Sequence, residues 1–134
     1  VRNADWRRTQ SAWIAQVRDW ARRPEPQAMM NLAILFDGQV IAGDPALFEP
    51  VRQAMYAIAD DDIALRGFAQ PAIDFHSPLT LFGGIKGGDD GVDVKKGGIF
   101  PIVHGLRALA LKHRVTVRSS FDRAEALITA GVLD

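Results

Sequence analysis

Cysteine is absent from these 134 residues, which excludes a disulfide framework and thiolate chemistry and suits a reducing compartment. Histidine is scarce, and His76, His104 and His113 lack the one-turn separation that would let two of them ligate a metal from one helix face. Net charge is missing too, because sixteen Lys and Arg balance sixteen Asp and Glu. That balance removes the general basic character with which duplex-binding domains neutralise phosphates, so nucleic acid is not an expected partner. No apolar run reaches membrane-spanning length and nothing resembles a signal peptide. The expectation is therefore a cytoplasmic chain without a membrane partner.

What remains is ordinary globular composition, 48% hydrophobic and 24% charged, which argues against disorder. A chain of this length makes one domain, here residues 1–134, and buries about two-thirds of its unfolded surface. It opens on Val1-Arg2 rather than Met, and its first helix starts almost at once. We expect a piece of a longer protein.

Periodicity predicts about five helices with one or two short hairpins, a mainly α fold. Trp6, Trp13, Val17 and Trp20 trace one face of a first helix, capped by Asn3 or Asp5 and stopped before Pro24. Their spacing makes these tryptophans core residues more simply than a base-stacking platform. Leu32 to Phe36 reads as a strand, with Asp37-Gly38 turning into Gln39-Val40-Ile41. Asp44-Pro45 opens a second helix with Leu47, Val51, Met55 and Ile58 inward; Pro50 either kinks it or marks its true first turn. Asp60, Asp61 and Asp62 precede a third helix that Pro71 interrupts. Leu79–Ile85 and Val92–Lys95 are expected to pair across a glycine-rich tip, which lacks the Gly-Lys-Ser/Thr ending of a phosphate cradle. After Val92, Asp93, Val94 and Lys95 alternate, Gly97-Gly98 permit a reversal, and Pro101 starts a fourth helix with Ile102, Leu106, Leu109 and His113 on its apolar stripe, widened by Val103 and Ala110. Ser119 with Asp122 resembles a capping box for a fifth helix, which Gly131 ends.

The run from Val92 to His113, VDVKKGGIFPIVHGLRALALKH, resembles the signature of the nucleotidyltransferase substrate-binding domains found in bacterial signalling proteins beside CBS and cyclic-nucleotide-binding modules. Other landmarks agree in order: the Trp-rich first helix, Ile34-Leu35-Phe36-Asp37, Gly43-Asp44, Pro78-Leu79, Asp122-Arg123 and Gly131-Val132-Leu133. Two positions depart from the family pattern. His104 stands where the family usually has Asp, and Ser77-Pro78-Leu79-Thr80 replaces a Pro-Pro-Leu-Gly turn.

The resemblance implies a domain that binds and positions substrate for a nucleotidyl transfer, to a protein or small acceptor, of the kind protein-PII uridylyltransferase performs. It implies an upstream nucleotidyltransferase domain in the same chain as partner, with nucleotide, acceptor and Mg²⁺ held between them. No Gly-Ser step followed by an Asp-x-Asp pair occurs here, so the fragment is not expected to catalyse alone. Asp37 is the candidate catalytic carboxylate and Mg²⁺ ligand, or else a turn residue before Gly38. Asp93, Lys95 and Lys96 are candidates for substrate binding, the lysines as point charges toward phosphates, or else a solvated hairpin edge. His104 and Arg107 lie three residues apart on one helix and complete the candidate set, with Arg107 the better anion ligand. The alternative is a non-catalytic helical module that couples ligand-sensing CBS or cyclic-nucleotide domains to a partner.

Overall fold

The computed structural model describes residues 3–74 and 95–134. These form six α-helices and no strand among the described residues. The chain begins with a 3-10 turn, Ala4–Trp6, capped by Asn3, and then breaks before α1 (Gln10–Arg22). Thr9 is the reason for the break. Its hydroxyl accepts from the Ala12 amide at 3.2 Å, so extended backbone at Thr9 is stabilised over a continuous helix from Asn3. The tryptophan spacing survives: Val17 is fully buried, and Trp6, Trp13 and Trp20 form a half-buried ladder with ring centroids 5.6 and 6.2 Å apart.

Where a strand and hairpin are expected, the chain forms α2 (Pro26–Phe36) instead. Pro26 occupies the first turn, where its missing N–H costs nothing. Met29, Leu32, Ala33 and Phe36 then fall at helical spacing, three of them buried and Phe36 packed against the core. A short apolar run suits strand and buried helix equally; the Ala, Met and Leu content upstream tips it toward helix. Beyond Asp37, which caps α2, residues 38–40 take no regular structure. Gly38 is required there, because a Cβ would stand 2.8 Å from the Leu35 carbonyl oxygen that Gly38 bonds.

Pro50 marks a first turn. A 3-10 turn at Pro45–Leu47 precedes α3 (Glu49–Tyr56), which a further 3-10 turn continues through Ala57–Asp60. Val51, Met55 and Ile58 are buried as expected, whereas Leu47 is exposed. Asp61 accepts from the amides of Ile63 and Ala64 at 2.9 and 3.0 Å and so starts α4 (Asp62–Asp74). Pro71 does not end α4, which runs on to Asp74. The predicted hairpin of Leu79–Ile85 with Val92–Lys95, its glycine-rich tip and the turn at Ser77–Thr80 fall on positions outside the described residues, apart from Lys95.

From Lys95 the chain follows a π-helical turn, Lys95–Ile99, that leads into α5 (Phe100–Lys112) with Pro101 in its first turn. Gly97-Gly98 therefore serve a widened turn rather than a reversal. The inward face of α5 is displaced from most of the expected stripe: His104, Ala108 and Leu111 are buried beside the expected Ala110, while Ile102 and His113 are exposed. His104 steers this rotation, since its imidazole is sequestered against α4. Finally Ser119 caps α6 (Ser120–Thr129), accepting from the Asp122 amide at 3.1 Å. Gly131 ends it at φ +69°, with Val132 and Gly131 amides donating to Leu127 and Ile128 carbonyls at 2.9 Å each.

α5 lies along α4, α1 against α3, and α6 on α5. The shared core is Val17, Met29, Leu32, Met55, Phe68 and Leu111, each side chain contributing about 1.5–3 kcal/mol by burial. Among the described residues no helix is long and apolar enough to cross a membrane.

Candidate functional site

The C-terminal end of α2 places Asp37 where α5 and α6 converge. Asp37 Oδ2 accepts from Arg107 Nε at 2.8 Å and Arg107 Nη2 at 2.6 Å, and Oδ1 accepts from Arg123 Nη2 at 2.7 Å. Arg123 is 1% exposed. Its Nε donates to the Val117 carbonyl at 3.0 Å, and its guanidinium lies 4.9 Å from the Phe36 ring centroid. A bare guanidinium could not be buried this deeply; the carboxylate, carbonyl and aromatic face together replace its water. Arg107 is partly exposed, its side chain at 22% against 31% for Asp37. A third arginine, Arg118, reaches in from the α5–α6 connection and donates to the Gln39 side-chain oxygen at 3.0 Å. Three guanidinium groups thus surround residues 37–39 with one carboxylate among them, an excess of positive charge.

This local excess belongs to a wider segregation hidden by the zero net charge. From Lys95 onward seven basic residues face three acidic ones, whereas residues 37–74 carry seven acidic and two basic. The α5–α6 part of the domain is electropositive, and Arg107 and Arg118 stand on it with solvent access.

The Mg²⁺ expected at Asp37 does not fit this arrangement. Both carboxylate oxygens already accept from guanidinium groups, whose charge opposes a divalent cation, and the described residues contain no group of three or more His, Cys, Asp or Glu that could hold a metal ion.

His104 lies elsewhere. Its Nε2 is 2.7 Å from the Phe68 carbonyl oxygen, to which it donates in the neutral tautomer. The ring stacks on Phe100 at 5.5 Å and 6° and tilts against Phe68 at 5.3 Å. Burial pushes the imidazole below its ordinary value of 6.5, outweighing the opposing effect of the Phe68 hydrogen bond. Nδ1 is buried without a hydrogen-bond partner among the described residues. His104 and Arg107 therefore do not share a surface: one is packed against α4, the other reaches Asp37. Lys95 is exposed at the start of the π-helical turn. Asp93 lies outside the described residues.

Sequence reasoning brought Asp37 and Arg107 forward without pairing them, and it passed over Arg123 as a site residue. A signal was present. Arg123 stands one turn before Leu127 on the inward face of α6, and an arginine at an apolar position requires a carboxylate from elsewhere.

These features define a mainly helical domain whose chemistry is electrostatic, with a guanidinium-rich cluster and no metal-binding cluster among the described residues. The family model for the "Putative nucleotidyltransferase substrate binding domain" matches residues 62–134, just over half of the chain, and the chain belongs to that family. The match contains α4, α5 and α6 with Arg107, Arg118 and Arg123, while Asp37 lies before it. No curated protein and no solved structure matches the chain.

Proposed function

We propose that this domain holds the acceptor for a nucleotidyl transfer whose catalytic and metal-binding groups reside on a separate nucleotidyltransferase domain, as in enzymes resembling protein-PII uridylyltransferase. The observation that carries the reading is the guanidinium excess around Asp37, built from arginines that all lie inside the family match. Arg107 and Arg118 bind an anionic part of acceptor or nucleotide, and Lys95 adds charge from the head of the π-helical turn that precedes α5. Asp37 acts as a positioning residue: it orients Arg107 and neutralises Arg123 rather than touching metal. Mg²⁺ and the displacement itself belong to the other domain, so the role left to these residues is to bind and orient the acceptor.

The test is nucleotidyl transfer by the full-length parent. Arg118→Ala and Arg107→Gln should raise KM for the acceptor about tenfold with little change in kcat, the signature of lost ground-state binding. Unchanged KM in both variants would refute the assignment.

The second reading is a non-catalytic module that couples ligand-sensing domains to a partner. One observation favours it. Phe121, 87% exposed, and Ile128 lie seven residues apart on one face of α6. Retention of full transfer by the Arg107 and Arg118 variants, with loss of partner binding in Phe121→Ser, would select this reading.

A further inference from the structure

A notch opens where the C-terminal end of α2, α3 and the α5–α6 connection meet, lined by Gly38, Phe48, Arg52, Tyr56, Thr116 and Arg118 among others. It holds about 10 Å³, room for a single oxygen atom. Glycine keeps it open, since a Cβ at Gly38 would stand 3.3 Å from the Phe48 ring as well as against the Leu35 carbonyl. Tyr56 is buried at its base, while Thr116 and Arg118 are exposed at its mouth.

Every polar side chain of this wall can donate. Arg52 Nη1 stands 3.6 Å from Glu49 Oε2, an ion pair too long for a hydrogen bond, and its guanidinium lies 5.3 Å from the Phe48 ring centroid. Arg118 gives one bond, to the neutral Gln39 side chain, and the Thr116 hydroxyl gives none among the described residues. Tyr56 Oη is 3.5 Å from the Val115 carbonyl, a weak contact. Burial raises that phenol against the pull of Arg52, Arg123 and Arg114, so it remains a donor at neutral pH. No carboxylate lines the notch among the described residues, yet two stand near and both keep their charge. Glu49 offsets Arg52, Asp37 offsets one of Arg107 and Arg123, and Asp60 offsets Arg114. Arg118 and the remaining guanidinium leave a surplus of two positive charges.

We infer that this notch seats a phosphate monoester: one terminal oxygen enters it among Arg52, Thr116 and Tyr56, and the others face Arg118. Charge makes the choice. A monoester carries about −1.5 to −2 at pH 7 and matches the surplus, a carboxylate or sulfate ester meets only half of it, and an ammonium would face donors alone. The inference rests on the acceptor-holding reading for its role, because Arg118 belongs to both, and it deepens that reading in two ways. The anionic part is a terminal phosphate, and Arg52, on α3 and outside the family match, helps to bind it.

Phenyl phosphate, phenyl sulfate and adenosine diphosphate are each titrated into the 134-residue chain with amide chemical shifts as readout. Phenyl phosphate should saturate with its largest shifts at Gly38, Gln39 and Thr116, and phenyl sulfate should bind roughly tenfold more weakly. Arg52→Gln should weaken phenyl phosphate about tenfold and Arg52→Lys should restore part of the loss. Thr116→Val, at an exposed position, should weaken it by a smaller factor with the melting transition unchanged. The diphosphate separates the sources: tighter binding than phenyl phosphate assigns the terminal phosphate to a nucleotide, equal or weaker binding to the acceptor. Phenyl phosphate that does not saturate, that shifts other amides, that binds no tighter than phenyl sulfate, or that ignores Arg52→Gln would overturn the inference. The two readings fail separately. Phosphate bound at the notch with unchanged KM in the Arg107 and Arg118 variants would remove the acceptor-holding role and leave the site, whereas raised KM with no phosphate at Gly38 and Thr116 would remove the site and leave the role.

Discussion

Removing the Asp37 carboxylate tests whether the α2–α5–α6 junction is held electrostatically. In Asp37→Ala, Arg123 keeps the Val117 carbonyl and the Phe36 ring but loses its only counter-charge among the described residues while remaining buried. Breaking a fully buried pair costs about 3–5 kcal/mol. Asp37 is 31% exposed, so water enters the gap and reduces the penalty to roughly 2–3 kcal/mol. Equilibrium urea unfolding measures it as a lower midpoint at unchanged slope. A double-mutant cycle then separates the partners: the Asp37–Arg123 coupling should exceed the Asp37–Arg107 coupling, because Arg107 is the more exposed cation. Replacing both charges with Asp37→Leu and Arg123→Met should recover most of the loss, since an apolar pair of similar volume leaves nothing unpaired. A loss below about 1 kcal/mol in Asp37→Ala, or equal couplings to the two arginines, would refute the argument.

Three further outcomes are expected. His104 has a folded-state value below 6.5, so it stays neutral in the fold at pH where the unfolded chain takes up a proton; stability is full above about pH 6.5 and declines as the pH falls below it. Melting temperatures at about pH 7.5 and about pH 5.5 should differ more for the native chain than for His104→Gln, and an identical difference would exclude this contribution. Gly67→Ala should lose about 1–2 kcal/mol in urea unfolding, although alanine is the better helix former by about 1 kcal/mol, because the added methyl meets Pro24; a gain in stability would show that the α4 contact is loose. Arg114 follows α5 at φ +55° and pairs with Asp60 at 2.8 Å on the surface. Arg114→Gly should be at least as stable as the native chain, since relief of about 1 kcal/mol of backbone strain offsets an exposed pair worth about 0–1 kcal/mol. Arg114→Ala keeps the strain and loses the pair, so it should unfold at lower urea than Arg114→Gly.

Punctuation was the most legible layer of the sequence. Pro24, Pro50, Pro101, Ser119 and Gly131 mark boundaries where the structure has them, because caps and prolines act within a turn of themselves. Three local readings failed for related reasons. The apolar run Leu32–Phe36 has by itself no period that separates strand from buried helix; the Ala, Met and Leu content upstream favours helix, and α4 and α5 supply the surface it packs on. Pro71 suggests an interruption, yet α4 passes through it. The α5 stripe was misplaced because a histidine was counted as polar at position 104 and apolar at position 113, the reverse of their burial.

The candidate site was legible as residue types and opaque as partnerships. Asp37 and Arg107 are seventy positions apart, Asp37 and Arg123 eighty-six. A carboxylate after an apolar run looks the same whether it awaits a metal or an arginine. The family signature in residues 92–113 identified the domain, because ordered short motifs survive without knowledge of their contacts.

By itself the sequence determined the mainly helical class, the stop of α1, both ends of α5 and α6, and the family, all of which rest on interactions within a few residues or on the order of motifs. Only the tertiary structure decided that Asp37 faces two guanidinium groups and that His104 is core. Each depends on which helix faces which, and that is set by burial across the whole chain rather than by any local preference.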